Sequence, residues 1–399
     1  MLKIIKNASI YTPEFIGKKD ILLCDDKIAK IDDYIQVPPK EFYEVEVIDA
    51  YEEYLMPGFI DLHVHIIGGG GEGGYTTRTP EIQFSKITTN GVTTVIGLLG
   101  TDGTTRSLQS LLAKCRALEE EGINALNWTG CYQFPTRTIT DNPRDDIILI
   151  DKIIGAGEIA ISDVRGSKPN KDDIERLALE CRVGGLLSGK SGVLHIHVGD
   201  DKEGILPLIE IISKSPVLSK NMLPTHINRN KNLLHQGIEY INKGGYLDLT
   251  TGIYAAENDK ESVDASEALK YLLDNGCSIE NITMSSDSNG SMPLFNAQGE
   301  LEGIGVGSIE SDMIEFRKMI NRYNIPMEKA LMPFTANPAK ILKLRHLGEI
   351  KVDKQADLII MNKDLSIDYV ICKGETLVKR GKPIKFGVFE EKKNGKRDE

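Results

Sequence analysis

Apolar residues in the middle of the chain fall into short β-prone runs, each followed by a loop and then by a stretch of helical period. Runs at 58–64, 92–100, 125–133, 158–163, 192–198, 222–227, 246–252 and 282–287 predict eight strands. Helical patterns follow most of them, at Leu108 to Glu121, Asp172 to Leu187, Gly204 to Lys214, Leu233 to Asn242, Ala265 to Asn275 and Asp312 to Tyr323. This alternation predicts an α/β chain built as a (β/α)8 TIM barrel, a fold that carries its chemistry at the C-terminal ends of the strands. An open doubly wound sheet is the competing arrangement, but no G-x-G-x-x-G turn follows the first strand and opens a helix. The GGGGEGG run at 68–74 precedes no immediate helix and reads as a loop that lets backbone approach a ligand.

The two chain ends have a different texture. Short strands are expected at Leu2 to Ile5, Ala8 to Tyr11, Asp20 to Cys24, Lys27 to Asp32 and Glu44 to Asp49, and again at Asp357 to Met361, Ile367 to Cys372 and Glu375 to Lys379. Residues 1–56 and 345–399 are therefore expected to meet as a small β-sandwich domain beside a barrel domain at 57–344. A length of 399 residues with 40% hydrophobic content supports one large and one small core. Mobile loops are expected at 68–74 and 256–262, and a frayed tail from Glu390.

Composition narrows the partners. A formal charge of −11 lacks the basic face that nucleic acid or an anionic membrane requires. No apolar run reaches the roughly 18 to 20 residues of a membrane span, and the start MLKIIKNASIYTPEF lacks a signal peptide's apolar core. A cytoplasmic protein acting on a small molecule is expected. The six cysteines are scattered without a C-x-x-C pair and read as reduced, buried residues, not metal ligands.

The candidate chemistry starts at Asp61, His63 and His65, at the end of the run Met56-Pro-Gly-Phe-Ile-Asp-Leu-His-Val-His65. Side chains at i and i+2 of a strand share a face, so His63 and His65 project toward one point. On the barrel reading, most of the seven histidines fall at strand ends. His195 and His197 lie on the fifth strand and His226 at the end of the sixth, while Glu158 begins the fourth and Asp287 ends the eighth. His195, two residues before His197 on the same face, reads as a donor to a metal-bound side chain or a core residue more readily than as a ligand. His235 and His346 fall elsewhere and read as surface or packing residues. Four imidazoles with carboxylates suit Zn²⁺ or another borderline divalent ion, and a site with both Glu and Asp can hold two. Such a pair favours amide hydrolysis, with Asp287 carrying the proton to the leaving amine.

These residues resemble the amidohydrolase superfamily, in the G-F-I-D-x-H-x-H run, the histidines of strands five and six and the aspartate of strand eight. Several segments resemble its isoaspartyl (β-aspartyl) dipeptidases more closely: HVHIIGGGGEGGYTTRTPE, GLLGTDGTTR, YQFPTRTIT, AISDVRG, HVGD, LPTHINRN and SSDSNGSMP. The resemblance implies metal ligands His63, His65, His197, His226 and Asp287, two divalent ions with Zn²⁺ as the expected metal, and attack by a metal-bridging hydroxide. It also implies substrate contacts from Glu72, Thr101, Tyr132, Arg165, Arg229 and Ser291. A β-aspartyl dipeptide carries one ammonium and two carboxylates, which suits Glu72 for the ammonium and Arg165 and Arg229 for the carboxylates. Tyr132 would then donate to the developing oxyanion. Read singly, Glu72 is equally a solvated loop acid, the arginines surface ion pairs, Tyr132 a packing residue and Ser291 a turn cap.

The chain departs from the family pattern at one place. The best-known members bridge their metals with a carboxylated lysine near the start of strand four, where this chain has Glu158. A lysine carbamate is longer by roughly 3 to 4 Å, so a bridging glutamate requires the backbone to come closer, which Gly155 and Gly157 permit; Glu158 is expected to bridge two metals, with a mononuclear site as the alternative. Lys152, expected in a helix, and Lys168, past the strand, are poor substitutes. A metallo-dipeptidase for small dipeptides, assembled as a homo-oligomer, is the expected function. The alternatives are a cyclic-amide or N-acyl amino acid amidohydrolase of dihydroorotase or hydantoinase type, and a non-catalytic scaffold that has lost its ligands.

Overall fold

The computed structural model describes residues 2–39, 44–254, 261–295 and 301–390. Most of the expected loop at 256–262, and the tail beyond residue 390, lie outside these. The two chain ends meet in one nine-stranded sheet. Its central strand Tyr54–Pro57 pairs parallel with Leu2–Tyr11 on one side and antiparallel with Leu358–Met361 on the other. Ile5, Ile10, Ile21, Leu55, Leu358 and Ile371 are buried in a core that belongs to this sheet.

The two strands expected at Leu2 to Ile5 and Ala8 to Tyr11 are a single strand with a bulge between them. At the bulge Asn7 is left-handed (φ 57) and its N–H donates to Asp20 Oδ1 at 2.9 Å. Ile35 N–H donates to Oδ2 at 2.8 Å, and the Lys6 ammonium lies against the same carboxylate. The extra residue breaks the alternation of apolar positions, so one bent strand reads as two. Burial would raise the Asp20 pKa, but Lys6 and the two N–H groups outweigh it and hold it below its ordinary 3.8. A depressed folded pKa stabilises above the unfolded value and loses that contribution as the pH falls through the folded one. Asp20→Asn is therefore expected to cost about 3 kcal/mol at neutral pH. In urea titrations its deficit against wild type should narrow below pH 3.8, and a deficit that stays constant with pH would disprove this account.

The centre of the chain forms eight parallel strands in two hydrogen-bonded groups of six and two. Among the described residues the sheet curls until the last strand meets the first. Val64 bridges Ser288, and His65 N–H donates to Ser288 O at 2.9 Å. The helices alternate with the strands as the apolar period predicts, and Leu108–Glu121 has the expected bounds. Ser107 starts it by accepting from Ser110 N–H, and Gly122 ends it. Among the described residues no helix is long and apolar enough to cross a membrane. All six cysteines are free, and all but Cys24 are buried.

The fourth barrel strand corrects the sequence reading. It spans Ile153–Ile161, so Glu158 lies inside it and does not begin it. Gly155 and Gly157, expected to let the backbone come closer, lie where the strands pack tightly. A Cβ on Gly155 would lie 2.1 Å from Val193 O, and one on Gly157 would lie 2.7 Å from His195 Cβ. Lys152 is likewise not helical. It occupies the turn before the strand and pairs with Glu119.

Candidate active site

Glu158 is fully buried at the centre of the barrel mouth, and its two carboxylate oxygens face different imidazoles. Oε1 lies 3.5 Å from Nε2 of both His63 and His65. Oε2 lies 3.1 Å from His197 Nδ1 and 3.6 Å from His226 Nε2. Asp287 Oδ1 closes the first group, 3.3 Å from His63 Nε2 and 3.1 Å from His65 Nε2. The i, i+2 spacing that aims His63 and His65 together, and the strand-end positions of His197, His226 and Asp287, thus bring every expected ligand to one place.

The donors fit divalent cations. His63, Glu158 and His226 offer atoms within 4.8 Å of one another, as do His63, His65 and Asp287. His63 Nε2 and His65 Nδ1 are buried without a hydrogen-bond partner. A side chain at Gly100 would intrude, since its Cβ would lie 2.8 Å from His65 Cε1 and 3.4 Å from Glu158 Oε1. Nitrogen and oxygen donors in this mixture suit borderline ions such as Zn²⁺.

The local charges follow from the packing. Burial alone would raise the Glu158 pKa, but His63, His197 and His226 hold it well below the usual carboxylate range. Asp287 is depressed in the same way, chiefly by His63 and His65 against burial. His63 is pushed up, because Glu158 and Asp287 outweigh its burial. Burial lowers His226 to about 3, against the pull of Glu158. Ionised carboxylates held among imidazoles form the electrostatic well in which a cation replaces protons.

Outer contacts orient the rings. His197 Nε2 lies 2.9 Å from Asp163 Oδ2. An ionised carboxylate only accepts, so Nε2 donates to Asp163, and Nδ1 is the nitrogen turned toward Glu158 at 3.1 Å and the Tyr132 hydroxyl at 2.8 Å. Arg165 grips Asp163 through Nε at 3.0 Å and Nη2 at 2.7 Å, and together with His197 it depresses the Asp163 pKa despite burial. His226 Nδ1 meets Thr250 Oγ1 at 2.7 Å. Asp61 joins the first strand to the last by accepting from the N–H groups of His63 and Ser286, each at 3.2 Å, and burial lifts its pKa to about 6. His195 lies behind this shell, with Nε2 2.8 Å from His63 Nδ1. It touches His63 from behind and does not join the histidines facing Glu158. His235 and His346 are exposed.

The expected substrate residues gather beside the histidines. Glu72 Oε1 accepts from Thr101 Oγ1 at 2.9 Å, and Oε2 accepts from Ser291 Oγ at 2.8 Å. Arg165 Nη1 lies 3.7 Å from Glu72 and its guanidinium lies over the Tyr132 ring, 5.4 Å from the centroid. Arg229 Nη1 is 3.7 Å from Asp200, and its buried Nε has no partner. Glu72 also lines a cavity of about 340 Å³ with Gly70, Gly71, Tyr75 and Arg78.

Asp163, Thr250 and Arg106 escaped the sequence reading. Arg106 holds both legs of the glycine-rich loop by donating to Gly69 O at 2.7 Å and Thr79 O at 3.1 Å. Their only sequence signal is position: Asp163 stands two residues before Arg165 in AISDVRG, and Thr250 ends the seventh strand.

The model of the Amidohydrolase family matches residues 54–377. A beta-aspartyl dipeptidase from Fervidobacterium islandicum AW-1, solved in complex with beta-Asp-Leu dipeptide, is 42% identical with a TM-score of 0.88, over 96% of this chain and 98% of that one. A dihydroorotase from Aquifex aeolicus is 26% identical over 99% of each chain. A D-hydantoinase structure, 15% identical with a TM-score of 0.71 over 98% of each chain, shares the fold. The match begins at the strand that leads into the barrel and runs past the eighth strand into the closing sheet, and the chain belongs to the amidohydrolase family.

Proposed function

We propose that this protein is a metal-dependent dipeptidase that hydrolyses the isoaspartyl (β-aspartyl) bond of dipeptides. The observation that carries the metal reading is the division of four imidazoles between the two oxygens of Glu158, the arrangement expected of a carboxylate shared by two ions. His63, His65 and Asp287 would hold one ion and His197 and His226 the other, with Glu158 common to both. Two such cations, Zn²⁺ being the expected ones, supply a water of near-neutral pKa and a polarised scissile carbonyl.

The chain's own groups supply the rest. Glu72, anchored at both oxygens by Thr101 and Ser291, presents a fixed negative charge to the substrate ammonium. Arg165 and Arg229 face the two carboxylates. The Tyr132 hydroxyl, beside the histidines, donates to the oxygen that gains charge as the amide is attacked. Asp287, ionised because His63 and His65 depress its pKa, accepts the water proton and passes it to the leaving amine. The likeness to a dipeptidase solved with beta-Asp-Leu supports this substrate class. The remaining parts of the same proposal are a homo-oligomer in the cytoplasm and a chain-end sheet folded as a sandwich domain of 1–56 and 345–399.

The dihydroorotase relative favours a second reading, a cyclic-amide hydrolase. Glu72 separates the two, because a cyclic amide has no ammonium for it to hold. Zinc-loaded and EDTA-treated protein should be compared on β-Asp-Leu, α-Asp-Leu and dihydroorotate. Chelator-sensitive cleavage of the β-linked peptide alone is expected. Turnover of dihydroorotate with the peptide untouched would transfer the assignment to the second reading.

A further inference from the structure

We propose that His195 is a positioning residue that fixes the orientation of His63, holding a proton on Nδ1 so that Nε2, which faces Glu158 and Asp287, is the nitrogen left for a cation. The argument follows from which atoms can donate. His195 Nδ1 lies 3.1 Å from Leu223 O, a carbonyl that only accepts, so Nδ1 carries a proton. The ring is completely buried and its two nitrogens meet a carbonyl and an imidazole, with no carboxylate in hydrogen-bond contact to balance a second proton, so it carries one. A neutral imidazole has one proton, and His195 Nε2 is therefore an acceptor. That nitrogen lies 2.8 Å from His63 Nδ1, which must then be the donor. The opposite nitrogen of His63, Nε2, is buried with no hydrogen-bond partner and lies 3.5 Å from Glu158 and 3.3 Å from Asp287, and His63 belongs to both candidate groups of metal donors. His195 is thus an acceptor toward His63, not the donor expected from its sequence position.

The relay is held rigidly. The His195 ring stacks on Trp128 at 5.2 Å with 17° between the planes. Trp128 is itself pinned by its Nε1–H to Leu62 O at 3.0 Å. Gly157 opposite has no Cβ, and one would lie 2.7 Å from His195 Cβ, so the fourth strand leaves room for the ring in this pose. His226 is oriented by a hydroxyl, which can donate or accept. His63 is oriented through an imidazole whose far side ends on a carbonyl, which cannot reverse its role.

This inference rests on the metal-binding part of the proposed function and is independent of the substrate. It is tested on the full chain with His195→Phe, which keeps the stacking surface and removes the acceptor, and His195→Gln, which keeps an oxygen acceptor near the Nε2 position. In competition with a chromogenic chelator, His195→Phe should bind Zn²⁺ about 10- to 100-fold more weakly, and His195→Gln should recover most of that loss. In wild type labelled with ¹⁵N at the histidine rings, His195 should show a protonated Nδ1 and a bare Nε2. Wild-type zinc affinity in His195→Phe, no recovery in His195→Gln, or a His195 proton on Nε2 would each overturn the proposal. The wild-type spectrum decides alone where His195→Phe does not fold. Zinc binding with the expected tautomer but no cleavage of β-Asp-Leu would reject the substrate assignment and leave this inference standing.

Discussion

Glu158→Gln is expected to lower kcat on β-Asp-Leu by about 10³-fold, equivalent to about 4 kcal/mol of transition-state stabilisation. It should also reduce bound zinc below the wild-type content. Glutamine keeps the shape of the side chain but offers one oxygen and one amide NH₂. Whichever way it turns, either the His63 and His65 pair or the His197 and His226 pair faces N–H donors where it now faces a carboxylate oxygen. Glu158→Lys supplied with bicarbonate should stay inactive, because a lysine carbamate reaches roughly 3 to 4 Å further. The glutamate oxygens already lie against the imidazoles, and a Cβ at Gly100 would come within 3.4 Å of Oε1. Full zinc content with unchanged kcat in Glu158→Gln would show that Glu158 is not the shared carboxylate, and recovery of Glu158→Lys by bicarbonate would show that the backbone is not set at the distance only a glutamate suits.

The ends of the barrel strands were legible because the strand period sets which residues share a face, and because barrels display chemistry at those ends. His63, His65, His197, His226 and Asp287 could be named on that basis, and the structure brings them together. Features that depend on distance between strands were not legible. The two glycines in IIGAGEIAI add nothing to the apolar period, so the fourth strand seemed to start at Glu158 when it starts at Ile153. The close packing that needs glycine there is a property of the neighbouring strand, through Val193 and His195. Orientation was hidden for a related reason. The partner of His197 is a carboxylate 34 positions earlier, and that of His63 is an imidazole 132 positions later. Neither separation follows from local pattern. The arginines show a further limit: their residue type indicated carboxylate binding, yet Arg165 already grips Asp163, so it orients a histidine's partner as well as facing the pocket.

Asp287→Asn is expected to have the largest effect, a loss of about 10⁴-fold in kcat with KM changed by less than about threefold. The substitution isolates proton transfer from backbone geometry. Asp287 sits at φ 54, a left-handed conformation that asparagine adopts as readily as aspartate, so the turn after the eighth strand should survive. The neighbouring supports, Ser286 on Asp61 and His65 on Ser288, do not involve the Asp287 side chain. An amide in place of the carboxylate keeps an oxygen for His63 and His65 but removes the negative charge and the capacity to accept a proton. The substrate contacts assigned to Glu72, Arg165 and Arg229 are untouched, which is why KM should hold while kcat falls. Kinetics on β-Asp-Leu at matched zinc occupancy check this separation. A rise in KM with kcat preserved would make Asp287 a binding group, and a fall in both that is cured by excess zinc would make it a ligand with no part in moving the proton.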